Sequence, residues 1–412
     1  MLICLVLILA TALVGCESSF RYADEIDNTV NNDAPVFPWE LEQEFTYTEF
    51  GDSNGNVINF DDSFLSGIEI HDGKFYILQP LKPMIYDPVT NTQTYVCTDP
   101  LCDHKIGCPF SMTRMEEGIH AVKDFVVYFK GGSGKPQVAK YSRTDRTVTI
   151  LRPITENVYT PDMVALEDCY YFIDVSYDEK TQLFTYSLCR QYYDSKEIEV
   201  LKSSHEYDYS ILGADGDVIY YYDEIKKELV TYSATLRKEL SAVKTSSSFD
   251  SMALCKDGYL IYRTTKGELM RVNTDGSGQR SLGVSGVHSF YLTDSYIYYL
   301  TVEDTVAAKG VQITSTGEKH YEFDLQIHAV YRTDHEGDNR ELVWKNKEES
   351  NVTQLAEFVV VGNYLYSTFS NYYLEDGYYI NAIELGQGAS KTQYYQRIDC
   401  TTGEIYYIKL VK

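Results

Sequence analysis

The sequence predicts an all-β chain built from a repeated antiparallel unit, and three observations predict it. An aromatic and β-branched strand pattern recurs seven times, turns rich in Asp, Gly and Asn follow several of the recurrences, and long helical periodicity is almost absent. The recurrences begin at Gly73, Asp124, Cys169, Asp217, Gly258, Ser295 and Asn363, so their spacing runs from 37 to 68 residues.

Each element of the unit has a local reason. Segments such as Asp217-Val218-Ile219-Tyr220-Tyr221-Tyr222 combine β-branched and aromatic residues that suit a pleated surface. Tyrosine is the compositional outlier at 38 residues, and its apolar body with a polar tip suits strands wetted at one face; a carbohydrate-stacking surface is the functional alternative. Partner strands end in tight turns: Ile85-Tyr86-Asp87 before Asn91, Arg271-Val272-Asn273 before Asp275-Gly276, Tyr331-Arg332-Thr333-Asp334 before Gly337, and Arg397-Ile398-Asp399 before Gly403. Asp223 to Leu229 carries helix-like charges but is short and lies between strands, which makes it a hairpin loop.

Repeats of about 40 to 50 residues, each offering four strands, point to a β-propeller. A single blade cannot bury both faces, and neighbouring blades cover them. The recurrences fit seven blades of four antiparallel strands, with Thr301 to Glu322 as an insertion in the sixth. An eight-bladed ring and a pair of β-sandwiches are the alternatives. The strand-turn pattern resembles bacterial propellers of the TolB-like and low-density-lipoprotein-receptor-like kind, best at Met270–Leu282 and Tyr331–Val343. The resemblance implies a fold and no particular function, because propellers host enzymes, binders and scaffolds alike.

The N-terminus speaks to location. An apolar run from Leu2 ends in Leu13-Val14-Gly15-Cys16, too short to span a bilayer and suited to a signal-peptide core. The ending resembles the lipobox of bacterial lipoproteins, which implies cleavage before Cys16, diacylation of its thiol and residence on the extracytoplasmic face of the cell membrane. No Lys or Arg precedes the run, and an ordinary secretory signal that discards Cys16 is the alternative. The expected organisation is a signal peptide over 1–15, a flexible acidic tether over 16–44 and the propeller over 45–412.

Charge bounds the partners. The net charge is −25, so nucleic acid is excluded as a partner class and an anionic membrane surface repels the chain. Anchoring is left to the acyl chains.

One segment carries sharp chemistry. Cys97, Cys102, His104 and Cys108 follow a C-x4-C-x-H-x3-C spacing, stiffened by Pro100 and Pro109. Three thiolates and an imidazole satisfy a closed tetrahedral structural zinc site. A disulfide of Cys97 with Cys102 or Cys108, a reduced structural loop, and a Cys102–His104 dyad are the other readings, since an exported protein meets oxidising conditions. The D-P-L-C-x-H core resembles a segment of uncharacterised propeller lipoproteins of Gram-positive bacteria. Lying between the first blade's outer strand and the second blade's inner strand, the loop is expected at the rim of the channel. Cys169, Cys189, Cys255 and Cys400 sit singly in strand patterns and read as small buried residues.

Other signals are weaker. Gly131 to Lys135 imitates a phosphate loop but lacks its first Gly and its Ser/Thr, so a hairpin turn is expected. Asp52, Asn54 and Asn56 imitate the start of a calcium loop, with Val57 where Gly belongs. His71, His120, His205, His288, His320, His328 and His335 are scattered. No residue is assigned a catalytic role. The expected function is a surface module binding a peptide, glycan or partner protein; the alternative is a hydrolase or lyase with residues converging at the channel mouth. A sensor or accessory subunit of an envelope complex is a third reading.

Overall fold

The structure is a computed structural model. It describes residues 57–411, with breaks at 61–67, 78–82, 105–107, 111–118, 131–136, 155–162, 206–208, 245–248, 315–316, 347–350 and 382–391 and at single positions. Cys16, the apolar run before it and the Asp52/Asn54/Asn56 pattern lie outside the described residues.

Every regular element described is a strand, and consecutive strands pair antiparallel in four-stranded leaves. A short strand, β1 (Val57–Phe60), precedes them. The first leaf is β2 (Ile68–His71), β3 (Lys74–Ile77), β4 (Met84–Asp87) and β5 (Thr92–Tyr95). The second is β6 (Ile119–Val122), β7 (Phe125–Lys130), β8 (Gln137–Ser142) and β9 (Thr147–Pro153). The third is β10 (Met163–Ala165), β11 (Cys169–Asp178), β12 (Leu183–Tyr192) and β13 (Glu199–Ser204). The fourth is β14 (Tyr209–Asp215), β15 (Val218–Asp223), β16 (Glu228–Ser233) and β17 (Lys238–Lys244). The fifth, β18 (Phe249–Cys255), β19 (Tyr259–Thr264), β20 (Leu269–Asn273) and β21 (Arg280–Ser281), also carries β1 on its β18 edge.

A nine-stranded sheet completes the chain. It divides into a leaf of β22 (Val287–Leu292), β23 (Ile297–Thr314), β24 (Gly317–Thr333) and β25 (Glu341–Lys345), and a leaf of β26 (Asn351–Val361), β27 (Tyr364–Glu375), β29 (Thr392–Asp399) and β30 (Ile405–Val411). Between them, β28 (Tyr378–Asn381) pairs with β27 and touches β23 at Gly310↔Tyr379.

Each aromatic recurrence of the sequence lands on the second strand of a leaf, not the first. An inner strand of weaker pattern, such as Ile119–Val122 or Met163–Ala165, precedes it. Burial follows strand position. In β15, Ile219 to Asp223 are all buried, whereas the outer β17 is mostly exposed. A leaf covered on both faces cannot alternate apolar with polar, so its second strand reads as a continuous run.

That double coverage makes the ring. Alternate side chains of one strand point to opposite faces. Tyr170 and Phe172 pack towards the second leaf with Val127 and Phe129, while Tyr171 and Ile173 pack towards the fourth with Ile219 and Tyr221. Tyr220 and Tyr222 then pack on Leu260 and Tyr262 of the fifth. The Tyr220-Tyr221-Tyr222 run serves two interfaces at once. Leaf follows leaf until Leu365, Tyr366 and Ile398 of the last pack with Phe75 and Tyr86 of the first. The Phe75 and Tyr366 rings meet edge to face with centroids 4.6 Å apart, and the sheets close into a β-propeller.

The strand-turn pattern, Arg-x-Asn at Arg271 and Arg-x-Asp at Arg332 and Arg397, has a packing basis. Arg271, Arg332 and Arg397, on third strands, lie 3.7, 4.5 and 4.3 Å from the ring centroids of Tyr259, Tyr296 and Tyr364. Asp334 accepts the amides of Glu336 and Asp338, and Asp399 those of Thr401 and Thr402, which fixes the turns that follow. Gly337, at φ +90°, lies so close to the Leu282 carbonyl that no side chain fits there.

Antiparallel alternation puts the crossings between leaves and the hairpins joining second to third strands on one face, here called the crossing face. Three of these elements are extended. The β11–β12 ladder runs to Asp178↔Leu183, past β10, which pairs only with Tyr170–Phe172. The β23–β24 ladder runs to Thr314↔Gly317, so the extra residues beyond Thr301 lengthen a hairpin of this leaf. β27 lengthens with it, and Ala308, Leu325 and Val352 bury a small second core there.

Two outcomes follow from this packing. Phe75→Ala opens the last-to-first interface and is expected to cost about 3 to 5 kcal/mol in urea unfolding. His328 is buried, and its Nδ1 accepts the Leu355 amide at 3.0 Å. Burial and the neighbouring His288 lower its pKa from 6.5 to about 4. Its neutral form therefore stabilises the fold fully above pH 6.5, and that contribution is lost as pH falls from 6.5 towards 4. Wild type is expected to lose about 2 to 3 kcal/mol more stability across that range than His328→Gln, which keeps an acceptor without a titrating ring.

Candidate metal centre

The loop from β5 to β6 is built from its turns outward. Val96 continues the ladder by donating to the Pro83 carbonyl at 2.9 Å, which carries Cys97 into the interior. Pro100 then occupies the second position of a turn in which Cys102 donates its amide to the Asp99 carbonyl at 3.2 Å. The Asp99 carboxylate also accepts the Leu101 amide at 2.9 Å. His104 adopts φ 56°, and its ring lies over Tyr95 with centroids 3.9 Å apart. Past the break, Cys108 returns to the interior and Phe110 is fully buried between Tyr128 and Tyr141.

The loop is fixed to both leaves it connects. Thr98 donates its amide to the Tyr141 hydroxyl at 3.1 Å and its own hydroxyl to the Arg143 carbonyl at 2.7 Å. The Tyr128 hydroxyl donates to the Pro109 carbonyl at 3.2 Å. Cys97, Cys108 and Phe110 share one core with Tyr76 and Ile85 of the first leaf and Val126, Tyr128 and Tyr141 of the second.

The four predicted residues converge. One ligand atom from each of Cys97, Cys102, His104 and Cys108 lies within 4.8 Å of every other, and among the described residues this is the one group of three or more His, Cys, Asp and Glu so placed. The edge of a tetrahedron around zinc with Zn–S near 2.3 Å is about 3.8 Å, so small adjustments bring the set to coordination distance. None of the three cysteines is in a disulfide.

One sulfur contact is not revealed by spacing: His104 donates its amide to the Cys102 sulfur at 3.4 Å. The backbone at Asp99 and at Phe110 acts to lower the Cys97 and Cys108 thiols. Amide donors favour a thiolate. Working against them, burial raises the Cys97 and Cys108 thiols, Cys108 to about 12, and the neighbouring sulfurs add to the rise. Three thiols this close cannot all ionise without a cation among them. A dication would supply that charge, with the imidazole as a neutral fourth ligand beside three thiolates. Cys97 and Cys108 are buried, while Cys102 and His104 are half-buried on the loop's outer side.

The other sequence signals fall elsewhere. Residues 131–135 lie outside the described residues and join β7 to β8, which pair at Lys130↔Gln137 as a hairpin does. Most of the scattered histidines described make local contacts, and two of them pair. His71 accepts the Lys123 amide at 2.8 Å, His335 meets the Tyr259 hydroxyl and the Thr293 carbonyl, and His205 meets Thr185. His288 and His328 face one another with centroids 6.2 Å apart. Cys169, Cys189, Cys255 and Cys400 are buried, as their strand positions predict.

No family model matches the chain, and no curated protein matches it. Among solved structures, it is similar to the computationally designed Ika8 protein at 7% identity and TM-score 0.47, over 88% of this chain and 90% of that one. It is similar to the oligogalacturonate lyase of Vibrio parahaemolyticus at 12% identity and TM-score 0.42, over 70% and 74% of the two chains. For the putative TolB of Agrobacterium tumefaciens the values are 12% identity and TM-score 0.34, over 54% and 77%.

The site gives a direct expectation. Protein purified without chelator should carry about one zinc per chain by elemental analysis, and Cys108→Ser should carry less than about a tenth of that. The same variant should melt several degrees lower, because the first and second leaves share the loop's core.

Proposed function

We propose that the protein is a lipid-anchored surface module, a propeller of seven blades that binds a peptide, glycan or partner protein on its crossing face. The observation that supports this reading is the concentration of additional chain on that face. The cysteine loop and the lengthened β11–β12, β23–β24 and β27 segments all rise from it, beyond what closing the ring requires. Their outer parts present apolar side chains to solvent. Leu101 is 93% exposed, and Tyr177 and Phe184 stand opposite one another near the β11–β12 tip with rings 4.8 Å apart.

In this reading Cys97, Cys102, His104 and Cys108 hold a structural zinc that keeps the loop rigid. The convergence of all four ligand atoms within 4.8 Å supports a metal-bound set over a disulfide, which would use two of the sulfurs and leave the imidazole aside. Cys16 carries the acyl chains, the acidic segment over 16–44 spaces the propeller from the membrane, and the ligand is met on the extracytoplasmic side. The enzyme alternative needs ionisable groups gathered at the channel mouth; the dispersed contacts of the described histidines do not favour it.

A thermal-shift panel of glycans, extended peptides and divalent metals on the intact protein tests the binding reading. One ligand class should raise Tm by several degrees, and a Phe184→Ser/Leu101→Ser variant should lose that shift at unchanged resting Tm. Absence of any shift across the panel counts against it. Cys16→Ser should move the protein from the membrane fraction to the medium; retention in the membrane would remove the anchor from the proposal.

A further inference from the structure

Seven cysteines lie among the described residues, and six of them are buried. Cys102 is the exception, half-buried on the outer side of its loop, so it is the sulfur that a solute reaches first. The sulfurs of Cys97 and Cys108 both lie within 4.8 Å of it. These two neighbours are held differently. Cys97 follows Val96, which donates to the Pro83 carbonyl. A closed turn joins it to Cys102, with the Cys102 amide on the Asp99 carbonyl and the Leu101 amide on the Asp99 carboxylate. The tip of that turn stands in solvent, as the exposure of Leu101 shows. Cys108 is tied instead to Phe110, whose ring is wedged between Tyr128 and Tyr141. An S–S bond is about 2.05 Å long, so a disulfide here requires one arm of the loop to move. The turn between Cys97 and Cys102 moves in solvent, whereas the Cys108 arm would disturb the core shared by the first and second leaves.

We propose that Cys102 is an oxidation site for hydroperoxides, and that its oxidation converts the metal-binding set into a Cys97–Cys102 disulfide that no longer holds an ion. The Cys102 sulfur attacks one peroxide oxygen and the O–O bond breaks. The sulfur becomes a sulfenic acid, and the departing hydroxide takes up a proton as water. The Cys97 sulfur then attacks the Cys102 sulfur, the S–S bond forms, the S–O bond breaks, and a second water leaves. Two electrons pass from the pair of sulfurs to one peroxide. Cys108 and His104 remain, too few for a closed zinc site, which takes four ligands. The inference rests on the structural-zinc reading and adds a regulation to it. Oxidation unties the loop that joins the first two leaves and shifts Leu101, an exposed part of the crossing face.

The test uses the full chain isolated without chelator. Trypsin cuts after Lys105, so Cys97 and Cys102 fall in peptide 75–105 and Cys108 in peptide 106–114. Hydrogen peroxide in modest excess should release the zinc to a chromogenic chelator at least about tenfold faster than buffer alone. Peptide 75–105 should then hold no free thiol and stand unlinked, while peptide 106–114 keeps its own. Dithiothreitol with added zinc should restore the thiols and the ion. Zinc retained under peroxide overturns the proposal and leaves the structural-zinc reading standing, whereas a chain isolated with no zinc overturns both. Peptides 75–105 and 106–114 joined to each other, or Cys102 carried to sulfinic acid with Cys97 still free, also overturn it. Cys102→Ser should form no disulfide in peroxide, and one that links Cys97 to Cys108 as fast as the unmodified chain reacts counts against the proposal. Should that variant lose its fold, alkylation of the unmodified, chelator-treated chain decides. Iodoacetamide should reach Cys102 at least about tenfold faster than Cys97 or Cys108, and equal rates overturn the proposal.

Discussion

Everything in this molecule depends on the inability of one leaf to bury both of its faces. A four-stranded antiparallel leaf of about forty residues exposes two apolar surfaces, and the next leaf along the chain covers only one of them. The remaining face is satisfied when the last leaf meets the first. Tyr366 against Phe75 is where that happens, and Trp344, Leu365 and Ile398 bury with them. Tyrosine suits this role because its ring fills the gap between leaves, and at several positions its hydroxyl reaches a polar group at the margin. Tyr171 donates to the Gly216 carbonyl and Tyr232 to the Leu201 carbonyl in this way.

The cysteine loop applies the same logic where the chain crosses between leaves. A crossing has no ladder to satisfy its backbone, so it is held by side chains and turns: Thr98 to Tyr141, Asp99 to Leu101, Tyr128 to Pro109. Its buried sulfurs sit within the hydrophobic contact of the first and second leaves. A metal there would act on the ring as a whole, since it would fix the spacing of two leaves in a closed circle. Burial keeps the Cys97 and Cys108 thiols protonated, and a cation among the converging sulfurs would relieve the cost of ionising them.

Polar groups inside the ring are managed locally. Arg190 is nearly buried and is held between Glu199 at 2.7 Å and Asp217 at 3.5 Å, so its charge is met inside its own corner of the fold. His328 is kept neutral by burial and by the neighbouring His288, and its Nδ1 accepts the Leu355 amide. The added strand β1 fits the same picture, because it satisfies part of an inner edge that the ring by itself leaves open to the channel.

The sequence by itself determined the class of structure and the position of its strongest local chemistry. Runs such as Val126-Val127-Tyr128-Phe129 and Tyr220-Tyr221-Tyr222 mark strands in the sequence, but the expectation that the tyrosine runs are wetted at one face is corrected by the structure, which buries Tyr220-Tyr221-Tyr222 on both; the C-x4-C-x-H-x3-C segment is short enough that its turns bring the four residues together wherever the loop is placed. Local periodicity and short separations are legible because they act within a few residues. The inner strands Ile119–Val122 and Met163–Ala165 were not legible, being too short to carry a period. Only the tertiary structure decided which leaf closes on which, that the extra residues beyond Thr301 lengthen one hairpin, that the His104 amide meets the Cys102 sulfur, and that Val57–Phe60 pairs with β18. Most of these are contacts between residues far apart in the chain, and the sulfur contact depends on backbone direction; neither leaves a pattern in the residues themselves.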